Sequence, residues 1–300
     1  MLSDNTKAMI AWLNVCVIWG TTYLAIRIGV GHLPPMLFAG VRWLIAGVIM
    51  TAFLRGRGKR LPQGKEFFHL GFVGVALLGC ANGLVVFAEQ WIPSGLTALL
   101  LATIPLLMTS MESMLPKGPR LNITTITGLI LGLLGVCLIF WDDIRYLTNR
   151  ENLIGIFAIL VGMGFWSSGS LYSKYVKVEV DPLMGASVEM LIAGIFLTAL
   201  GVSTGEVSRW SLEIRGLLSI VYLIIFGSFV GYGSYIYALS KLPLPFVATS
   251  AYINPVIALF LGWLILDEKL NILVVVAATA IIVGVFIVKQ GSMSQKNPLT

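Results

Sequence analysis

Four ionisable residues fall inside apolar stretches of this sequence: Arg42, Glu89, Glu112 and Glu189. A charge placed in hydrocarbon is costly, so each is a candidate for work on a solute or a proton unless it can reach a surface. Glu112 lies close to one end of its stretch and can extend to the headgroups. Glu89 is also near a boundary. Arg42 and Glu189 are deeper, each about seven residues from the nearer end, which is roughly 10 Å at ~1.5 Å per residue. Polar and aromatic residues accompany these charges. Ser228, Tyr232 and Tyr235 recur at i, i+4 and i+7, one face of a helix. Asn82 and Glu89 are seven apart, again one face. Trp19, Thr22 and Tyr23 form one group, and Trp166, Ser167 and Ser170 another. Thr249, Tyr252 and Asn254 surround Pro255. Pro105 and Pro255 each remove a backbone donor and free a carbonyl, whether to line a site or only to kink a helix. Together these side chains can line an amphipathic cavity that stacks a small organic solute and hydrogen-bonds its polar end. Trp91 and Trp141, at the ends of their stretches, read instead as interfacial belts.

Enzymatic chemistry finds little support. The two histidines, His32 and His69, both sit near the ends of apolar stretches. No H-E-x-x-H, phosphate-binding loop or nucleophile–base cluster occurs, and no metal or cofactor is expected. Cys16, Cys80 and Cys137 are odd in number and lie in apolar runs, which reads as inert thiols rather than a disulfide framework.

The elements that must hold these residues are membrane helices. Of 300 residues 57% are hydrophobic and 11% charged, with mean hydropathy +0.92. So few charges cannot cover a soluble core of this size, so lipid must be the solvent. Ten stretches have the length needed to cross ~30 Å of hydrocarbon: 9–28, 34–54, 67–91, 93–115, 123–141, 152–173, 182–203, 214–239, 243–266 and 270–289. A β-barrel is excluded, because its strands would be ~10 residues long and would alternate in polarity. Thirteen lysines and arginines fall in segments on the N-terminal side of the membrane and six on the other. The positive-inside rule therefore puts both termini in the cytoplasm. It also explains the basic run RGRGKR (55–60) without nucleic acid.

The chain repeats itself. PMLFAGVRWLIAG (35–47) matches PLMGASVEMLIAG (182–194) at seven of thirteen positions, an offset of 147 that also pairs Trp19 with Trp166. Later the offset becomes 150, pairing Pro105 with Pro255, and Gly135-Val136 answers Gly284-Val285. Five spans per copy is an odd number, so the second copy enters the membrane from the opposite side. Such an inverted repeat predicts a secondary transporter with its site near the midplane, between the halves. Gly128-xxx-Gly132 and Gly135 predict close helix packing.

WGTTYLAIR (19–27), PPMLFAGVRWLIAG (34–47), AEQWIPSGLTALLLATIPL (88–106) and ATSAYINPVIALFLGWLILDE (248–268) resemble the EamA branch of the drug/metabolite transporter superfamily. The resemblance covers nearly the whole chain, with EamA units at 9–141 and 152–289. It implies an all-α polytopic fold of ten helices in two inverted five-helix repeats and export of small metabolites, amino acids among them. The acidic residue that often follows the fourth span of such a unit is present as Glu268; the first copy reads LPKGPRLN there.

The expected activity is a secondary exporter of small organic metabolites, with protons as the candidate coupling ion and an uncoupled or uptake carrier as the alternative. The expected partners are its solute and the lipid bilayer, with the chain acting as a monomer or homodimer. Helical side chains lean toward their own N-terminus. Arg42 and Glu189 should therefore diverge, with Arg42 pairing with Glu89. Glu189 should find a separate cationic or hydrogen-bonding partner, Lys241 being the cationic candidate, and without a cation it becomes the proton-coupling candidate.

Overall fold

The computed structural model describes residues 3–92, 94–116, 118–120, 122–141, 149–257 and 272–294, with the side chains at 94, 95, 274 and 294 left aside. Glu268 and the far end of the ninth expected span lie outside the described residues. The helices are α1 (Asp4–Val30), α2 (Pro35–Gly56), α3 (Lys65–Ala88), α4 (94–113), α5 (Ile123–Ile139), α6 (Leu153–Tyr175), α7 (Pro182–Ser203), α8 (Ile214–Lys241), α9 (Leu244–Ile257) and α10 (Ile272–Ser294). Eight helices among the described residues are long and apolar enough to cross a membrane, where the sequence led us to expect ten spans; α5 and the described part of α9 are shorter. No strand occurs among the described residues.

Boundaries follow local chemistry. Ser3 caps α1 by accepting from the Thr6 N–H, and Asn122 caps α5 through the Thr124 N–H. Pro35 and Pro182 start α2 and α7 at the first helical position, where no N–H is needed. The third span ends three residues earlier than the hydropathy suggested, because the chain turns at Glu89–Ile92. The fourth is two half-helices, Ser94–Leu101 and Ile104–Ser113, separated by a turn at 102–103.

The halves meet through reciprocal contacts. A methyl group on Gly47 would stand 2.6 Å from the Leu191 nitrogen, and one on Gly194 2.4 Å from the Leu44 nitrogen. Positions 44 and 191 are equivalent in the repeat, as are 47 and 194, so each contact is the image of the other. The next shell repeats the relation: Gly40 abuts Thr198, and the Thr51 hydroxyl donates to Ser187 Oγ at 2.9 Å. Along this seam one index falls as the other rises, so α2 and α7 are antiparallel. A second such seam joins α5 to α10, where Gly128 meets the Gly284 carbonyl and Gly135 the Ala277 carbonyl. Here the glycines expected to pack closely do so, because without side chains the backbones can approach. Between the seams Trp19 touches its own equivalent, Trp166, with ring centroids 5.4 Å apart. A residue can meet its own image only beside the symmetry axis. The pseudo-two-fold therefore runs from one seam to the other through this tryptophan pair, across the helices rather than along them.

The helix ends obey the same symmetry. Arg27 donates to the carbonyls of Glu89 and Ile92, while Lys174 donates to those of Leu239 and Leu242. Each copy thus places a cation on the bare C-terminal carbonyls of its third helix, where the helix dipole favours positive charge. These two ends name the two faces of the bundle, the Arg27 face and the Lys174 face. On the Arg27 face α2 begins at Pro34, which has no side-chain acceptor; Glu206 crosses from the other repeat to accept from the N–H groups of Met36 (3.3 Å) and Leu37 (2.8 Å). On the Lys174 face Asp181 caps α7 itself, accepting from Leu183 N–H at 3.0 Å, and Lys59 of the first repeat reaches it at 2.7 Å. Partial burial works against its charge, but these donors outweigh that effect and hold the Asp181 carboxyl below its usual range.

Candidate functional site

A cavity of about 100 Å³ lies beside the axis, lined from both repeats. Its position follows from the central stretches of α3 and α8. Val75–Asn82 and Leu223–Tyr232 are wound as π-helix, and they occupy equivalent places in the two copies. Glycines let these widened turns pack: Gly74 lies against the backbone of Glu189, and Gly231 against the indole of Trp19. Such segments are frequent at functional sites. Each ends on a polar residue that enters the cavity, Asn82 in one copy and Tyr232 in the other.

Those two residues account for the intramembrane charges. Arg42 Nη2 donates to Asn82 Oδ1 at 3.1 Å, and the Tyr232 hydroxyl donates to Glu189 Oε2 at 2.7 Å. Positions 42 and 189 are equivalent, and so are 82 and 232, which makes these one interaction written twice. The cation is matched with an acceptor and the carboxylate with a donor. The expected Arg42–Glu89 pair does not form. Glu89 sits at the end of α3, above the cavity, with neither carboxylate oxygen hydrogen-bonded, and Arg27 approaches its backbone carbonyl instead. The Asn82 amide takes the place expected of Glu89 as the partner of Arg42. Lys241 does not approach Glu189 either; it stands 4.0 Å from Asp4. Glu112 does not extend to a surface: it is buried and accepts from the Tyr175 hydroxyl at 2.8 Å.

Trp43 was not anticipated from the sequence. Neighbouring residues on a helix do not face each other, yet Trp43 Nε1 also donates to Asn82 Oδ1, at 3.1 Å, and the Arg42 guanidinium lies 4.0 Å from the Trp43 ring centroid. Trp43 then meets Tyr232 edge-on at 5.7 Å. A second cluster forms the aromatic floor: Trp19 with Tyr235 at 5.2 Å and Trp166 with Tyr235 at 5.1 Å.

Of the residues singled out by sequence, Trp19, Thr22, Tyr23, Arg42, Asn82, Trp166, Tyr232, Tyr235 and Asn254 line the cavity. The Asn254 amide, turned so that both ends are satisfied, donates to the carbonyls of Cys16 (3.0 Å) and Ser250 (2.8 Å). The others do not line it. Ser228 bonds the Leu223 carbonyl five residues back, because a π-turn rotates less per residue than the 3.6-residue period assumed for that face. Thr249 marks a turn within α9 and bonds the Phe246 carbonyl. The Tyr252 hydroxyl donates to the Leu129 carbonyl, and its ring covers Gly132, fastening α9 to α5. Ser170 bonds the Tyr235 hydroxyl at 2.7 Å, Ser167 is buried beside it, and Glu189 stands behind Tyr232. Pro105 fits the first turn of its half-helix, after the break rather than at it. Pro255 lies six residues past the turn at Thr249. Both withhold the N–H that Leu101 and Ala251 carbonyls would receive in an unbroken helix, and these two equivalent residues line the cavity.

Along α1, α2, α6 and α7 the cavity breaks the symmetry. Tyr23, Ile26 and Arg42 line it, and all lie on the Arg27 side of the axis. Their images Ser170, Ser173 and Glu189, on the Lys174 side, do not. There the bonds Ser170–Tyr235 and Glu189–Tyr232 close the packing.

Comparison with known proteins agrees with this architecture. The chain is 35% identical over 281 residues, 92% of its length and 88% of the other, to the uncharacterized inner membrane transporter YedA of Escherichia coli K12. It is 27% identical to the uncharacterized transporter YoaV of Bacillus subtilis, covering 93% and 96% of the two chains. A probable amino-acid metabolite efflux pump of E. coli K12 is 26% identical, with 92% of each chain covered. A crystal structure of a protein with 20% identity superposes with a TM-score of 0.79 over 95% of this chain and 98% of that one, so the fold is shared. Residues 6–141 and 153–290 each match one family, and with that two-fold match the protein belongs to the EamA-like transporter family.

Proposed function

We propose that the protein exports small organic metabolites, amino acids or related compounds, across the cytoplasmic membrane by alternating access. The observation that carries this reading is a cavity on the axis of an inverted repeat, lined from both copies. Two copies of one bundle can exchange conformations, and the exchange moves the cavity to the other face. In this reading the units 9–141 and 152–289 are the exchanging halves, the chain crosses the membrane ten times, and both termini are cytoplasmic. The Arg27 face is then external, and Tyr23 and Arg42 line the cavity from the releasing side. The efflux-pump relative supports export of amino-acid metabolites at 26% identity. Expression in a cell lacking its own exporters, challenged with a panel of metabolites, should raise tolerance and external accumulation of at least one. A cysteine at position 58 should be labelled only from the cytoplasm, and labelling only from outside overturns the topology.

Protons are the proposed coupling ion and Glu189 the proposed carrier, since its carboxylate accepts from Tyr232, which lines the cavity. Glu189→Gln keeps a hydrogen-bonding partner for Tyr232 but cannot ionise. It should retain solute exchange in proteoliposomes while accumulation driven by a pH gradient falls about tenfold or more, one ~1.4 kcal/mol step of lost coupling. An uncoupled carrier is the second reading, favoured by the placement of both Glu89 and Glu189 outside the cavity lining. Solute exchange without any accumulation driven by a pH gradient in the unmodified protein supports it.

A further inference from the structure

Resting on the reading of the cavity as the solute site, we propose that it selects solutes bearing a carboxylate, and that Arg42 is the residue that binds it. Arg42 is 3% exposed and lines the cavity. Its guanidinium carries five N–H donors. One, on Nη2, meets Asn82, while Nε is buried with no partner. Among the described residues no carboxylate lies within 4.0 Å of it. Its image in the repeat, Glu189, has Tyr232 as donor and stands behind that ring, so the fold supplies no counter-ion from the equivalent place.

A guanidinium cannot shed its charge, and a buried ion without a counter-ion is expensive. A chain that keeps such a cation at the wall of a solute cavity has left the counter-ion to the solute. The guanidinium is also held in a fixed plane, stacked on Trp43 at 4.0 Å and tied to Asn82. A rigid planar fork suits the two oxygens of a carboxylate, which it can meet with two parallel bonds. The remaining end of the solute would meet the aromatic floor of Trp19, Trp166 and Tyr235, which favours an apolar or aromatic body. Replacing the carboxylate by a carboxamide keeps shape and size but leaves the cation uncompensated, so shape alone cannot rescue the neutral analogue.

The test uses the purified full-length protein and two matched pairs, phenylacetate with phenylacetamide and L-leucine with L-leucinamide. Binding is read by quenching of tryptophan fluorescence, since Trp19, Trp43 and Trp166 all line the cavity, and by thermal shift. The acids should bind at least about tenfold more tightly than their amides, and chloride at the same concentration should not mimic them. Arg42→Gln should remove the preference. Equal binding within both pairs, a preference that survives in Arg42→Gln, protection by chloride alone, or binding by neither acid each overturns the proposal. The wild-type comparison decides the matter even where the variant fails to fold. Metabolite efflux in cells together with equal binding of acid and amide sinks the carboxylate assignment and leaves the transport reading standing. No efflux and no binding sinks both.

Discussion

Gly194→Leu is expected to leave little folded protein, and Gly47→Leu to do the same to a similar degree. At both positions a single added carbon already stands within 2.4 to 2.6 Å of a backbone nitrogen across the seam. A leucine brings three more carbons and forces α2 and α7 apart. Overpacking costs roughly 1–3 kcal/mol where side chains can shift; here the obstacle is main chain, so the loss reaches the top of that range or beyond. Because the nearest atoms to Gly194 include the nitrogen and Cα of Leu44, trimming that side chain with Leu44→Ala should not rescue Gly194→Leu. The yield of monodisperse protein on size exclusion and its melting temperature in detergent measure both effects. Normal melting of either glycine variant, or rescue by Leu44→Ala, would mean that the seam is not the close contact described. Similar losses at 47 and 194 are themselves a check on the two-fold relation, because only symmetry makes two residues so far apart in sequence equivalent.

Trp19→Ala and Trp166→Ala should each reduce transport per folded molecule at least tenfold and destabilise the protein. Each ring packs on the other and on Tyr235, at 5.1 to 5.4 Å between centroids. Removing a buried aromatic costs ~3–5 kcal/mol, and the lower end applies, since neither ring is fully buried. The two rings touch, so the double variant should cost less than the sum of the single ones. Phenylalanine at either position should recover most of the stability and part of the transport. The readouts are melting temperature and solute flux normalised to folded protein in proteoliposomes. Full flux in both alanine variants would remove the aromatic floor from the solute pathway.

Much of the architecture was written in the order of residues. Hydropathy alone required membrane helices, and the second copy of VRWLIAG as VEMLIAG, with five spans expected in each copy, pointed to inversion. The identities of nine cavity-lining residues also followed, because polar and aromatic groups at mid-depth have few places to be except a shared interior. The partners of the charges did not follow. Residue spacing gives the face and the lean of a side chain, whereas a partner depends on which helix is adjacent and at what height. Only the packed bundle brings Asn82 to Arg42 and Tyr232 to Glu189, although the repeat held a hint, since it makes 42 equivalent to 189 and 82 to 232. Ser228 was misplaced for a related reason. A face drawn at 3.6 residues per turn assumes hydrogen bonds to i−4, and the π-wound centre of α8, held by contacts with other helices, does not keep that period. The breaks in α4 and α9 fell near their prolines but not at them, since a proline favours a disruption whose place is set by what packs around it. Sequence determined what must be buried together; the fold alone decided which groups touch and which of them line the cavity.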